Sequence, residues 1–235
     1  MPTSTIQQPS CPTTRERFAR GIRLGFPIFL GYVPVGAAFG ILARSLGFTP
    51  VQAIACSATA LAGAGQFIGL SLMKAGTDVA SVLVATTVVN LRYVLFGATL
   101  SPHVRSASFM GQAALAYSIT DETFAVNVND LRHGDGDIWS MAGVGSIAWI
   151  GWVLGTALGV FGSTLIGDPS RFGVEFAMPA MFTALLVAQA EDKRHVLIGL
   201  VAAVLTVAFA LFLPGKWFIV AAAIGAATVG TMVYR

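Results

Sequence analysis

Residues 24–43 form an apolar run without a single charge, and runs of the same kind follow one another along the chain. A helix needs about 20 apolar residues to cross the hydrocarbon core of a bilayer. Further runs cover residues 51–73, 79–100, 109–128, 138–167, 176–190, 196–213 and 217–234. The third is interrupted by Arg92, and the fourth carries Asp121 and Glu122. Charges and turn formers gather in the gaps, at 47–50, 74–78, 101–103, 130–137, 168–170 and 191–195. No run alternates as the strands of an outer-membrane barrel do. The fold expected is all-α: a polytopic transmembrane helix bundle of about eight spans, some of them broken by Gly and Pro. The count falls to seven if the fourth or sixth run does not cross fully.

Only 11% of the residues are charged, against about 25% in soluble domains. Residues 1–14 are polar and lack the apolar core of a signal peptide. They read as a disordered tail, and residues 15–235 as one membrane domain. The net charge of +3 does not point to nucleic acid, because the basic residues sit in short gaps and form no stripe. With the N-terminus in the cytoplasm, the inner side carries Arg15, Arg17, Arg20, Arg23, Lys74, Arg132, Lys193, Arg194 and Arg235. The outer side then carries Arg44, Arg105, Arg171 and Lys216, which is the asymmetry of the positive-inside rule. Cys11 and Cys56 make no disulfide framework. Trp139 and Trp152 read as markers of a membrane interface.

The polar residues inside the runs carry what chemistry there is. The first run holds Gly25, Pro27, Gly31, Pro34, Gly36 and Gly40. Prolines remove backbone donors, so this span reads as a broken helix lining a cavity. The other reading is a kinked packing helix whose glycines make a close-contact face. In the second run, Gly63, Gly65 and Gln66 precede Phe67. The segment is no dinucleotide fingerprint, because its last spacing is too long and it follows no strand. Gln66 either hydrogen-bonds a substrate or bridges two helices. In the third run, Asn90 and Arg92 stand at membrane depth, where a charge costs about 2.5–3.5 kcal/mol. Arg92 either binds a carboxylate or forms a structural pair with Asp121 or Glu122. Those two acids lie about 100° apart on a helix, so they face different partners. One reading has a buried carboxylate that carries a proton; the other has a solvated helix end. In the sixth run, Glu175, Met178 and Pro179 mark a short or broken helix, or an ordinary helix start.

Neither HExxH, GxSxG, Walker A nor a Cys/His cluster occurs. An enzyme is not expected, nor any cofactor or metal. His103, His133 and His195 fall in gaps.

In order and spacing, these motifs resemble the AzlC family of branched-chain amino-acid permeases. The carriers are the Gly25–Gly40 stretch with its two prolines, Ala62-Gly63-Ala64-Gly65-Gln66-Phe67, Asn90-Leu91-Arg92-Tyr93, Thr120-Asp121-Glu122 and Phe176-Ala177-Met178-Pro179-Ala180. The resemblance runs from about residue 18 to the end. The chain departs from the family's pattern at Tyr93 and Glu175, where His and Asp are frequent. The resemblance implies export of branched-chain or similar hydrophobic amino acids across a bacterial cytoplasmic membrane, with a small membrane partner of the AzlD type. On that footing Pro34, Gly36, Gly63, Gly65, Gln66, Asn90, Met178 and Pro179 are expected to line the substrate. Phe39 and Phe67 would form its apolar wall. Arg92, Asp121 and Glu122 would serve proton coupling or an ion pair. A passive small-solute channel and a non-transporting accessory subunit are the alternatives.

Overall fold

The computed structural model describes residues 12–165, 176, 179–180, 183, 187, 192–212 and 217–233, and these residues form helices and no strands. They fall into two compact units, Met1–Met178 and Pro179–Arg235. Four described helices are long and apolar enough to cross a membrane: Thr14–Ser45, Val79–Val104, Ile138–Gly162 and Lys193–Phe212.

Helix α1, Thr14–Ser45, opens on a capping box, in which Thr13 accepts from the Glu16 N–H and Glu16 accepts from the Thr13 N–H. It therefore begins where the polar tail was expected to end; residues 1–11 of that tail lie outside the described residues. The broken first span is not found. α1 stays helical through Pro27 and Pro34. The reason is its partner, α8, Ile138–Gly162, which is capped by Asp137. Gly21 meets Ser140, Gly25 meets Val144, Gly36 meets Trp152 and Gly40 meets Thr156. From the other side, Gly151 meets Phe29, Gly155 meets Val33 and Gly159 meets Ala37. A Cβ at these glycines would strike backbone, so the glycines let the helices touch. Close packing along this seam keeps α1 helical where two prolines would otherwise loosen it.

The contacts rise together along both helices, so α1 and α8 run parallel. Three helix pairs lie between them in the chain. The first is α2, Pro50–Thr59, with α3, Gly63–Lys74. The second is α4, Val79–Asn90, with α5, Arg92–Val104. The third is α6, Phe109–Tyr117, with α7, Asp121–Arg132. At 10 and 12 residues, α2 and α3 each reach only about 15–18 Å, half of a hydrocarbon core about 30 Å thick. The continuous runs at 51–73 and 109–128 are thus helices interrupted near their centres.

One end of the first unit is tied by charge. Arg17 pairs with Asp137 at 2.8 Å. Arg20 holds the Asp130 carboxylate with two nitrogens and donates to the Asp135 carbonyl at 2.9 Å. Ser140 donates to Asp130 at 3.1 Å. Asp130 is 7% exposed and sits in the last turn of α7, where the helix dipole disfavours an acid. Its partners must offset that. Asp130→Ala is expected to lower stability by about 1.5–3 kcal/mol, the range for a hydrogen bond to a charged group. Arg20→Ala should cost a similar amount and the double variant little more than either. Thermal unfolding in detergent reads all three.

In the second unit, α9, Lys193–Phe212, packs antiparallel on α10, Trp217–Val233, with Gly225 against Leu205 and Gly230 against Ile198.

Candidate functional site

The three interruptions meet. At the first, residues 60–62 leave the helix, with Ala60 at φ −133° and Ala62 at φ −139°. The carbonyls this frees need donors, because hydrocarbon supplies none. The Ala58 carbonyl accepts from the Tyr117 hydroxyl and from the Trp149 indole at 3.2 Å. Gln66 reinforces the turn by donating to the Ala60 carbonyl at 2.8 Å and the Cys56 carbonyl at 3.0 Å, each of which also accepts a backbone N–H. Its own carbonyl accepts from the Trp152 indole at 2.9 Å. Both amide donors of Gln66 are thus in use, and the side chain is 8% exposed. It splints the interruption to α8.

Gly63 and Gly65 make the room. A Cβ on Gly63 would meet the Trp152 ring at 2.8 Å, and one on Gly65 would meet the Asn90 amide at 2.9 Å. Phe39 and Phe67 lie edge to face at 5.9 Å, both against Trp152. They form a closed aromatic core. Trp152 itself is 2% exposed at the middle of α8. It is no interface marker, whereas Trp139 is exposed. Pro34 lies on the exposed face of α1, and Gly36 is taken up by the seam with α8.

The second interruption is a single tight turn at Leu91, where the Val94 N–H reaches the Leu91 carbonyl at 3.0 Å. Asn90 flanks it on the α3 side. Arg92 flanks it on the other side and pairs with Asp121 at 3.0 Å. Its guanidinium also lies 5.4 Å from the centre of the Tyr93 ring.

The third interruption covers residues 118–120. Thr120 caps α7 by accepting from the Thr123 N–H, and Thr123 in turn donates to the Ser118 carbonyl at 2.9 Å. Asp121 and Glu122 occupy the first turn, where the helix dipole favours negative charge. They are not a solvated helix end. Asp121 is 11% exposed and faces Arg92. Glu122 accepts from the Tyr32 hydroxyl at 2.6 Å. The two neighbouring acids thus have different partners, a cation for one and a phenol for the other.

Tyr32 closes the circuit. Its hydroxyl also reaches Thr120 at 2.8 Å, and its ring stands edge-on to Trp152 at 5.3 Å. Gln66, Trp152, Tyr32 and Glu122 thus touch in turn, Arg92 pairs with Asp121 beside Glu122, and Asn90 lies against Gly65, which brings α1, α3, α4, α5, α7 and α8 together. Sequence reasoning missed Tyr32, Thr120 and Trp152. The signal for Tyr32 was a hydroxyl in the middle of an apolar run. A cavity of about 670 Å³ lies elsewhere, between α6 and the first half of α8, beside Tyr117, Trp139 and Trp149. Of the remaining expected substrate residues, Met178 and the neighbouring Glu175 lie outside the described residues. Pro179 is exposed in the second unit, and its carbonyl accepts from Thr183 at 2.8 Å.

Comparison with known proteins adds an independent view. The family described as AzlC protein matches residues 27–166. The inner membrane protein YgaZ of Escherichia coli is 33% identical over 184 residues, 75% of each chain. An uncharacterized membrane protein of Archaeoglobus fulgidus is 32% identical over 216 residues, 88% of this chain and 91% of that one. The branched-chain amino acid transport protein AzlC of Bacillus subtilis is 29% identical over 201 residues, 83% of this chain and 77% of that one. No solved structure matches.

Proposed function

The chain belongs to the AzlC family, and from that premise we propose that it is a secondary transporter of branched-chain or similar small hydrophobic amino acids. It exports them across the bacterial inner membrane in exchange for protons. Its N-terminus lies in the cytoplasm, and a small membrane subunit of the AzlD type works beside it. The name of the Bacillus relative supports the substrate class, and the arginines at the start of α1 support the orientation.

The observation that carries the reading is the meeting of three interrupted helices around two acids with unlike partners. Interrupted helices at the bilayer midplane are where secondary transporters bind substrate and coupling ion. Asp121 is balanced by Arg92. Protonating it would leave the guanidinium without its counter-charge. Glu122 accepts from the Tyr32 hydroxyl, so a proton placed on it strands no cation. Glu122 is the proton carrier and the Arg92–Asp121 pair holds the frame. Gln66 serves the frame too. Substrate sits beside the Asn90–Arg92 turn and the start of α7.

The test uses proteoliposomes loaded with labelled leucine, with and without a pH gradient. The gradient should stimulate the wild-type protein. Glu122→Gln should keep exchange at equal pH and lose the stimulation. Gradient-stimulated transport that survives in Glu122→Gln overturns the assignment of the carrier. Unaltered transport in the Asp121→Asn, Glu122→Gln double variant overturns proton carriage by either acid.

A further inference from the structure

One hydroxyl group stands between Glu122 and the backbone interruption at 118–120. Tyr32 has a single proton to donate and two acceptors within reach, Glu122 Oε2 at 2.6 Å and Thr120 Oγ1 at 2.8 Å. Only one can receive it at a time. Thr120 is also the residue that ends the interruption, since its Oγ1 accepts from the Thr123 N–H at 3.2 Å. Thr123 Oγ1 accepts from the Thr120 N–H at 2.7 Å and donates to the Ser118 carbonyl at 2.9 Å. The path from carboxylate to interrupted backbone is therefore continuous: Glu122, Tyr32, Thr120, Thr123, Ser118. It is also well packed. Thr120 and Thr123 are buried, and Tyr32 is fixed by the edge of Trp152.

The two protonation states of Glu122 order this path differently. When Glu122 is ionised, it can only accept, so the Tyr32 proton points to it. Thr120 Oγ1 is then left with one backbone donor. When Glu122 takes up a proton from solution, its new O–H donates to Tyr32 Oη. The Tyr32 proton then turns to Thr120 Oγ1, whose own hydroxyl is held by Thr123 Oγ1 at 3.3 Å in both states. No proton is lost or gained beyond the one Glu122 received. The turn adds a hydrogen bond that fastens the start of α7 to α1.

We propose that Tyr32 is a positioning residue that converts the protonation of Glu122 into a fastened or released joint between α1 and the α6–α7 interruption. This rests on Glu122 as the proton carrier. The charged and titratable groups that face Glu122 are consistent with one switching group. Tyr32 comes from α1, Arg92 and Tyr93 from α5, and Asp121 is its neighbour on α7. Arg92 is already committed to Asp121. Tyr93 lies with the guanidinium over its ring and has no hydrogen bond to Thr120 among the described residues.

Tyr32→Phe isolates the hydroxyl, because the ring and its contact with Trp152 remain. The experiment measures leucine exchange in proteoliposomes across a series of pH values. It compares the wild type, Tyr32→Phe, Glu122→Gln and the double variant. The wild-type rate should change with pH. Tyr32→Phe should still exchange leucine but with a flattened profile matching that of Glu122→Gln, and the double variant should show no further loss. Thr120→Val, which removes the far acceptor, should flatten the profile as well, and Thr120→Ser should restore it. A Tyr32→Phe or Thr120→Val protein that keeps the wild-type profile at a scaled rate overturns the proposal and leaves Glu122 as carrier. A wild-type protein whose exchange ignores pH removes the carrier and the switch together.

Discussion

Arg92→Met is expected to lower stability in detergent by about 3–5 kcal/mol, the cost of leaving a buried carboxylate without its cation. Asp121 is nearly enclosed, and Arg92 is the cation paired with it, at 3.0 Å. Asp121→Leu should cost a similar amount for the reverse reason. The double variant, Arg92→Met with Asp121→Leu, should recover most of the loss, because no uncompensated charge remains. Arg92→Lys should recover less than its charge suggests. Lysine lacks the planar group that pairs with Asp121 and lies over Tyr93 at once. Unfolding in a denaturing detergent, followed by tryptophan fluorescence, gives the four values. Single losses that simply add in the double variant would show that the pair is not a coupled unit.

Trp152→Ala should be as damaging. The indole fills the space between Phe39, Phe67 and Tyr32, and truncating a buried tryptophan typically costs about 3–5 kcal/mol. It also removes the donor to Gln66, and a buried acceptor left unpaired costs about 1–3 kcal/mol. Trp152→Phe separates the two effects. It keeps most of the ring volume and loses only the N–H, so about 1–3 kcal/mol should remain. Gln66→Leu in the Trp152→Phe background should still destabilise, because it removes the side-chain hydrogen bonds to the Ala60 and Cys56 carbonyls, which keep only their backbone donors. Thermal midpoints in detergent resolve the series. A Trp152→Phe protein as weak as Trp152→Ala would show that the indole N–H, not its bulk, holds this core.

The membrane character and the polar residues at issue were legible in the sequence for one reason. Hydrocarbon tolerates neither an unpaired charge nor an unsatisfied amide, so Arg92, Asp121 and Gln66 stood out against their neighbours. The Arg92–Asp121 pair could be read for the same reason. The interruptions could not. Residues 60–62 are Ala-Leu-Ala, and the helix ends before Gly63 and Gly65, the glycines that weaken it, so the place of the break is not marked by its own residues. What supports the interruption is a set of donors from outside the interrupted turn, Gln66 to the Ala60 carbonyl and Tyr117 and Trp149 to the Ala58 carbonyl. Prolines misled in the opposite direction. Pro27 and Pro34 predicted a broken α1, but the glycine seam with α8 keeps it helical. Trp152 misled because tryptophan favours interfaces in general, although its place at the centre of a long run argued against one. Tyr32 was hidden because its partners are 88 and 90 positions away.

Counterflow of labelled leucine into proteoliposomes preloaded with unlabelled leucine tests the central reading most directly. Saturable counterflow, accelerated by a pH gradient, is the result expected of a proton-coupled amino-acid carrier. Uptake that rises linearly with concentration and shows no counterflow would contradict it, since a passive pore behaves in that way.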